Sequence, residues 1–132
     1  HASMQDLSTQ LIHHPYQAPA GFASVNVPVH RASTVIFSSV AALRQRDWKH
    51  KTGYTYGLHG TPTTFTLEER IATLEGGRFC TLVPSGLAAV ALANMAFLQA
   101  GDELLIPDNA YGPNKTLAEH EMQAWGISHR YY

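Results

Sequence analysis

An α/β fold built on a parallel sheet is predicted by three features of the sequence. Two short apolar runs, at 79–83 and 103–107, each end in a turn that opens a helical stretch. Those turns are Pro84-Ser85-Gly86-Leu87-Ala88-Ala89 and Asp108-Asn109-Ala110-Tyr111-Gly112-Pro113, and a third run, Ile127 to Tyr132, follows the second helix. Repeated strand-helix-strand units close as right-handed crossovers, which sets their strands parallel. A Gly-rich loop, Tyr54-Thr55-Tyr56-Gly57-Leu58-His59-Gly60-Thr61-Pro62-Thr63, precedes them. Turns at the carboxyl ends of parallel strands are where α/β proteins hold phosphate-bearing ligands, because helix amino termini present unpaired N–H donors there.

Taken in chain order, Met4 to Ala32 lacks periodicity, and Pro15, Pro19, Gly21 and Pro28 break helices, so an extended arm is expected. Its apolar residues, Leu11, Ile12, Tyr16, Phe22, Val25, Val27 and Val29, need cover, either from a partner subunit or from their own domain. Thr34 to Phe37 reads as a short strand, and Ser38 as the cap of a helix through Leu43 to about Lys49. Thr66 with Glu69 matches a capping box, after which Leu67, Ile71 and Leu74 recur at helical spacing until Gly76-Gly77. Phe79 to Val83 has the pattern of a buried strand. Ser85 opens a helix to Ala100 with apolar residues on several faces, which predicts enclosure on more than one side. Gly101-Asp102 ends it, Glu103 to Pro107 is the next strand, and a helix runs from Pro113 or Asn114 to Trp125.

Composition narrows the function. The 132 residues suit one domain, with 45% apolar and 14% charged residues. A net charge of -1 gives no field to draw nucleic acid or an anionic membrane. The single cysteine, Cys80, cannot form an internal disulfide, in keeping with a cytoplasmic location. His1-Ala2-Ser3-Met4 reads as an expression remnant, and no apolar run reaches the roughly 18 residues of a membrane span. The histidines show no metal-site spacing, so no metal is expected, and Cys80, Trp48 and Trp125 read as core residues.

The candidate chemistry begins at Ser85, Gly86 and Leu87. Gly86 lets a backbone approach closely, and the helix start aims N–H groups at an anion; a plain capped helix is the competing reading.

The motifs just quoted, with Val27 to Phe37, Leu74-Glu75-Gly76-Gly77 and Gly101-Asp102, resemble in order and spacing the Cys/Met-metabolism family of pyridoxal-phosphate enzymes. The resemblance covers nearly the whole chain. It implies a fold-type I architecture: residues 1–53 as a subunit-contacting arm with the first helix, and 54–132 as the first part of the cofactor domain. The implied cofactor is pyridoxal 5′-phosphate, with the Gly86 and Leu87 amides on its phosphate beside Ser85. Tyr111 is implied as the catalytic-site tyrosine stacking on the pyridine ring, and Tyr56 as reaching the phosphate of the neighbouring subunit's cofactor. The family's usual Arg, two places after that tyrosine, is Leu58 here, followed by His59, whose imidazole offers partial charge but no guanidinium fork.

Tyr111-Gly112-Pro113 is similar to the β-lyase branch, whereas synthases and γ-lyases carry a Gly-Gly-Thr-like run. The implied activity is carbon-sulfur β-elimination of L-cystathionine to homocysteine, pyruvate and ammonia, by a homo-oligomer that is a dimer of dimers acting on sulfur-containing L-amino acids. The resemblance places the cofactor-holding lysine, the pyridine-nitrogen acid and the carboxylate-binding arginine later in the family's chain. Lys49, Lys51 and Lys115 match none of these, so an inactive amino-terminal portion is expected. Another family activity (γ-synthase, γ-lyase or sulfhydrylase) and a non-catalytic phosphate-binding α/β module are the alternatives.

Overall fold

A computed structural model describes residues 6–13, 16–18 and 20–132. The readings made on His1 to Met4, His14, Pro15 and Pro19 lie outside these residues. The chain divides between Thr81 and Leu82 into two compact units.

In the first unit, α1 (Leu7–Ile12) corrects the expectation of a wholly extended arm. Six residues are too few for a helix stable alone; packing of α1 on α3 (Pro62–Glu75) supplies the rest. Residues 34–37 pair with no strand among the described residues, and Ile36 is 93% exposed. A strand exists only through its ladder, so the β-branched run stays loop.

Helix α2 (Val40–Arg44) is capped by Ser39, one residue later than expected, whose Oγ accepts from the Ala42 amide at 3.1 Å. It stops short of Lys49 because the Asp47 carboxylate takes the amides of Lys49 (3.0 Å) and His50 (3.2 Å), a local turn that competes with helix.

Helix α3 begins four residues before Thr66. Thr61 and Thr64 form a reciprocal capping box and Pro62 occupies the first turn. The Thr66 hydroxyl instead donates to the Pro62 carbonyl at 2.7 Å. The helix ends as predicted at Gly76, which is left-handed (φ 65°), with the Gly77 amide returning to the Ala72 carbonyl at 2.8 Å.

The Gly-rich loop is tied to its surroundings at both ends. The Gly57 amide donates to the Ser33 carbonyl at 2.6 Å, and a Cβ on Gly57 would sit 1.9 Å from the Ala32 carbonyl oxygen. A Cβ on Gly60 would strike the Phe65 ring. Tyr54 stacks on that same ring at 5.5 Å, and the Lys51 ammonium lies over it at 5.7 Å while pairing with the buried Glu68 carboxylate and donating to the Cys80 carbonyl.

Residues 79–83 are not a buried strand. They pair with no strand among the described residues, Phe79 is 78% exposed, and Cys80 is only partly buried.

In the second unit, Ser85 caps α4 (Gly86–Phe97) as predicted, its Oγ accepting from the Ala88 amide at 3.0 Å. The helix ends at Phe97 rather than Ala100. None of its residues is buried, so the expected enclosure is not found among the described residues.

Strands β1 (Glu103–Ile106) and β2 (Ser128–Tyr131) pair in parallel, Glu103 opposite Ser128 and Ile106 opposite Tyr131. Between them, α5 (Gly112–Leu117) runs directly into a π-helical turn, Ala118–Met122. The π turn places Ala118 and Met122 on the core, where they join Ile106 and Ile127. Asn94 of α4 donates to the Met122 sulfur at 3.4 Å, and the Ile127 amide closes on the Met122 carbonyl at 3.0 Å. Trp48 and Trp125 are 55% and 49% exposed and anchor no core. Long amphipathic rings cover a surface as readily as they fill an interior.

Candidate functional site

Two clefts, one in each unit, are lined by three of the residues singled out from the sequence: Leu87 in one, Tyr56 and His59 in the other. In the second unit the site grows from the start of α4. Ser85 spends its hydroxyl on the Ala88 amide and its carbonyl on the Ala89 amide. The amides of Gly86 and Leu87 have no partner among the described residues, as expected for the first two positions of a helix. A Cβ at Gly86 would meet nothing within 4 Å, so the backbone is uncrowded at that position.

Tyr111 lies five residues past the end of β1, at the cap position of α5, with its side chain 63% exposed. Its carbonyl accepts from the Asn114 amide at 3.0 Å, which fixes the turn from which the ring projects. The turn is buttressed from below by Lys115, whose Nζ donates to the Asp108 carbonyl at 3.1 Å.

An open cleft of about 410 Å³ brings the two turns together, lined by Leu87 on one side and Gly112, Pro113, Thr116 and Leu117 on the other. Glu121 completes its lining. Ser85, Gly86 and Tyr111 flank this cleft in sequence without lining it.

In the first unit, Tyr56 and His59 line a second cleft, of about 420 Å³, together with Leu43, Arg46, Trp48 and Thr55. His59 packs edge-on against Tyr56 at 5.6 Å and lies 5.9 Å from the Trp48 ring, so its imidazole is held between two aromatic walls. The His59 and Gly60 amides both donate to the Tyr56 carbonyl, at 2.9 and 3.3 Å, a tight turn that sets the two side chains on one cleft. Leu58, between them, is 75% exposed and lines no part of it. Arg46 and Trp48 were missed by sequence reasoning. Arg46 and Tyr56 lie ten positions apart with no helix or strand joining them, so no periodicity signals their meeting.

Among the described residues no group of three or more His, Cys, Asp or Glu side chains could hold a metal ion, and no helix is long and apolar enough to cross a membrane.

The known proteins that this chain is similar to include enzymes of sulfur amino-acid metabolism. The family description "Cys/Met metabolism PLP-dependent enzyme" matches residues 8–132. A cystathionine β-lyase of Bordetella avium is 40% identical over 116 residues, covering 86% of this chain and 29% of its own length. A cystathionine γ-synthase of Mycobacterium bovis is 33% identical over 129 residues, 98% of this chain and 31% of that protein. The crystal structure of cystathionine γ-lyase from Lactobacillus plantarum superposes with a TM-score of 0.78 at 28% identity, over 96% of this chain and 31% of that one. The chain thus spans about a third of the length of the relatives it matches. Its architecture is fold-type I, and the chain belongs to the Cys/Met metabolism family of PLP-dependent enzymes.

Proposed function

We propose that this chain supplies phosphate and ring contacts to pyridoxal 5′-phosphate in a carbon-sulfur lyase that cleaves L-cystathionine by β-elimination, giving homocysteine, pyruvate and ammonia. The observation that carries the reading is the start of α4, where the Gly86 and Leu87 amides have no partner among the described residues. A phosphate dianion fits such a start, because the donors are already oriented and the helix dipole favours negative charge.

In this reading the Gly86 and Leu87 amides bind the phosphate while Ser85 holds the first turn in shape. Tyr111 lays its ring on the pyridine face, a contact on the order of 1 kcal/mol beyond the area it buries. Tyr56 and His59 address the phosphate of a neighbouring subunit's cofactor, so the working unit is a homo-oligomer with its sites shared between subunits. When bound, the cofactor withdraws electrons from the substrate's α carbon. The contribution of this chain is to bind and orient it.

The β-lyase assignment rests on Tyr111-Gly112-Pro113 and on the 40% identity to the Bordetella avium enzyme. A second reading, a γ-synthase, is favoured by the 33% identity to the Mycobacterium bovis protein, which extends over more of the chain. Pyruvate release from L-cystathionine by the whole gene product separates them: a β-lyase yields pyruvate from it, and a γ-synthase yields cystathionine from an activated homoserine and cysteine. Tyr111→Ala in that protein is expected to lose cofactor on dialysis roughly tenfold faster, about 1.4 kcal/mol of retention. Unchanged retention would remove the stacking role.

A further inference from the structure

The cleft around Tyr56 contains a cation that sequence reasoning did not assign. Arg46 lines it beside Thr55, Tyr56, His59 and the Trp48 ring. One guanidinium nitrogen of Arg46 donates to the Leu43 carbonyl at 2.7 Å, which steadies the side chain where the chain leaves α2. The remaining N–H donors of its fork have no partner among the described residues.

The other polar side-chain groups on the cleft are a threonine hydroxyl, a phenol, an imidazole and the Trp48 indole N–H. No carboxylate lines it. The acid next in sequence, Asp47, has both oxygens committed, one to the Lys49 and His50 amides and the other to the His50 ring at 2.7 Å. One fixed guanidinium, four further hydrogen-bonding side chains and no competing anion make a receptor for a compact, doubly charged oxyanion.

We propose that Arg46 is the guanidinium that binds a phosphate monoester at this cleft, doing from the end of α2 what Leu58 has no donor to do. This rests on the reading that Tyr56 addresses the cofactor phosphate. The juxtaposition is produced by the fold. The Gly57 amide's bond to the Ser33 carbonyl and the Asp47 turn fold the loop so that residues 46 and 56 reach one cavity.

The test follows the Trp48 indole N–H resonance, which reports on the cleft wall, as the chain is titrated with three probes. These are inorganic phosphate, pyridoxine 5′-phosphate, which has the phosphate but no aldehyde, and pyridoxine, which has neither. Both phosphates are expected to shift the resonance saturably and pyridoxine to leave it unmoved; tighter binding of the monoester than of inorganic phosphate identifies an organic ligand.

Arg46→Gln should weaken monoester binding about tenfold, as loss of a charge-assisted pair does. Arg46→Lys should recover part of it, and Arg44→Gln, on α2 but off the cleft, none of the loss. Amide spectra that keep the wild-type dispersion show that each variant is folded.

Binding by Arg46→Gln within twofold of wild type overturns the proposal, and so does the absence of any phosphate-dependent shift in the wild-type chain. The two readings separate through Tyr56→Phe. Weakening by that variant alone keeps Tyr56 and removes Arg46, whereas weakening by Arg46→Gln alone keeps Arg46 and removes the phosphate role of Tyr56.

Discussion

The phenol of Tyr131 shows how one contact resets a side chain. Its hydroxyl donates to the Glu119 carboxylate, and that hydrogen bond, followed by burial and the charges of Glu119 and Asp108, pushes its pKa up to about 12. Lys115 lies over the ring at 4.6 Å. The folded value is raised. The stabilisation is therefore fully present below the phenol's ordinary pKa of about 10 and is lost as pH rises through about 12. In an ultraviolet titration the Tyr131 phenol should ionise near pH 12, and Glu119→Gln should lower that value; a Tyr131 titration unmoved by Glu119→Gln would contradict the contact. The opposite sign holds at Asp47, whose hydrogen bonds from His50 lower its pKa, so its contribution is present above its ordinary value and lost as pH falls below it.

Gly57 is the residue on which the loop depends. A methyl there would lie 1.9 Å from a backbone oxygen that cannot step aside, whereas Gly53 faces open space. Gly57→Ala should cost about 1–3 kcal/mol in urea unfolding of the chain, and Gly53→Ala less than about 0.5. Equal effects would mean that the loop does not pack on Ala32.

At the scale of elements, α3 separates what a sequence states from what it leaves open. Two threonines satisfy the same capping pattern. Thr66 has an acid three residues on, and Thr61 has Pro62 behind it and Thr64 in reach. The fold uses Thr61, so Thr61→Ala should lower stability by about 1 kcal/mol and Thr66→Ala by only a few tenths. A larger loss at Thr66 would return the helix start to the later position.

Local chemistry was legible: the Ser85 cap, the Gly76 stop, and the order of β1, α5 and β2. Residues 34–37 and 79–83 were misread because their apolar runs describe only what a strand requires of its own residues. Pairing is supplied by another segment, and among the described residues no strand ladder includes these runs. The candidate site divides the same way. Ser85, Gly86, Leu87, Tyr56, His59 and Tyr111 were named from motifs, while Arg46 reaches its cleft through a turn at Asp47 that no periodicity encodes.

At the scale of the whole molecule, binding a phosphate and holding a cofactor covalently make different demands. The first needs oriented donors, the role proposed for the start of α4 and for Arg46. The second needs an amine free to attack a carbonyl. Each lysine is already committed. Lys51 pairs with Glu68 and the Cys80 carbonyl, Lys115 donates to the Asp108 carbonyl and covers the Tyr131 ring, and Lys49 sits over Trp48 at 5.5 Å. Attack by any of them would give up those contacts, two of which also brace the loops carrying the candidate site residues. Treating the chain with pyridoxal 5′-phosphate and then borohydride should therefore leave no lysine stoichiometrically modified by peptide mass mapping, even where the phosphate is bound. A single lysine labelled to completion would show that this chain carries the covalent function as well, and the separation of roles drawn from its lysines would fall.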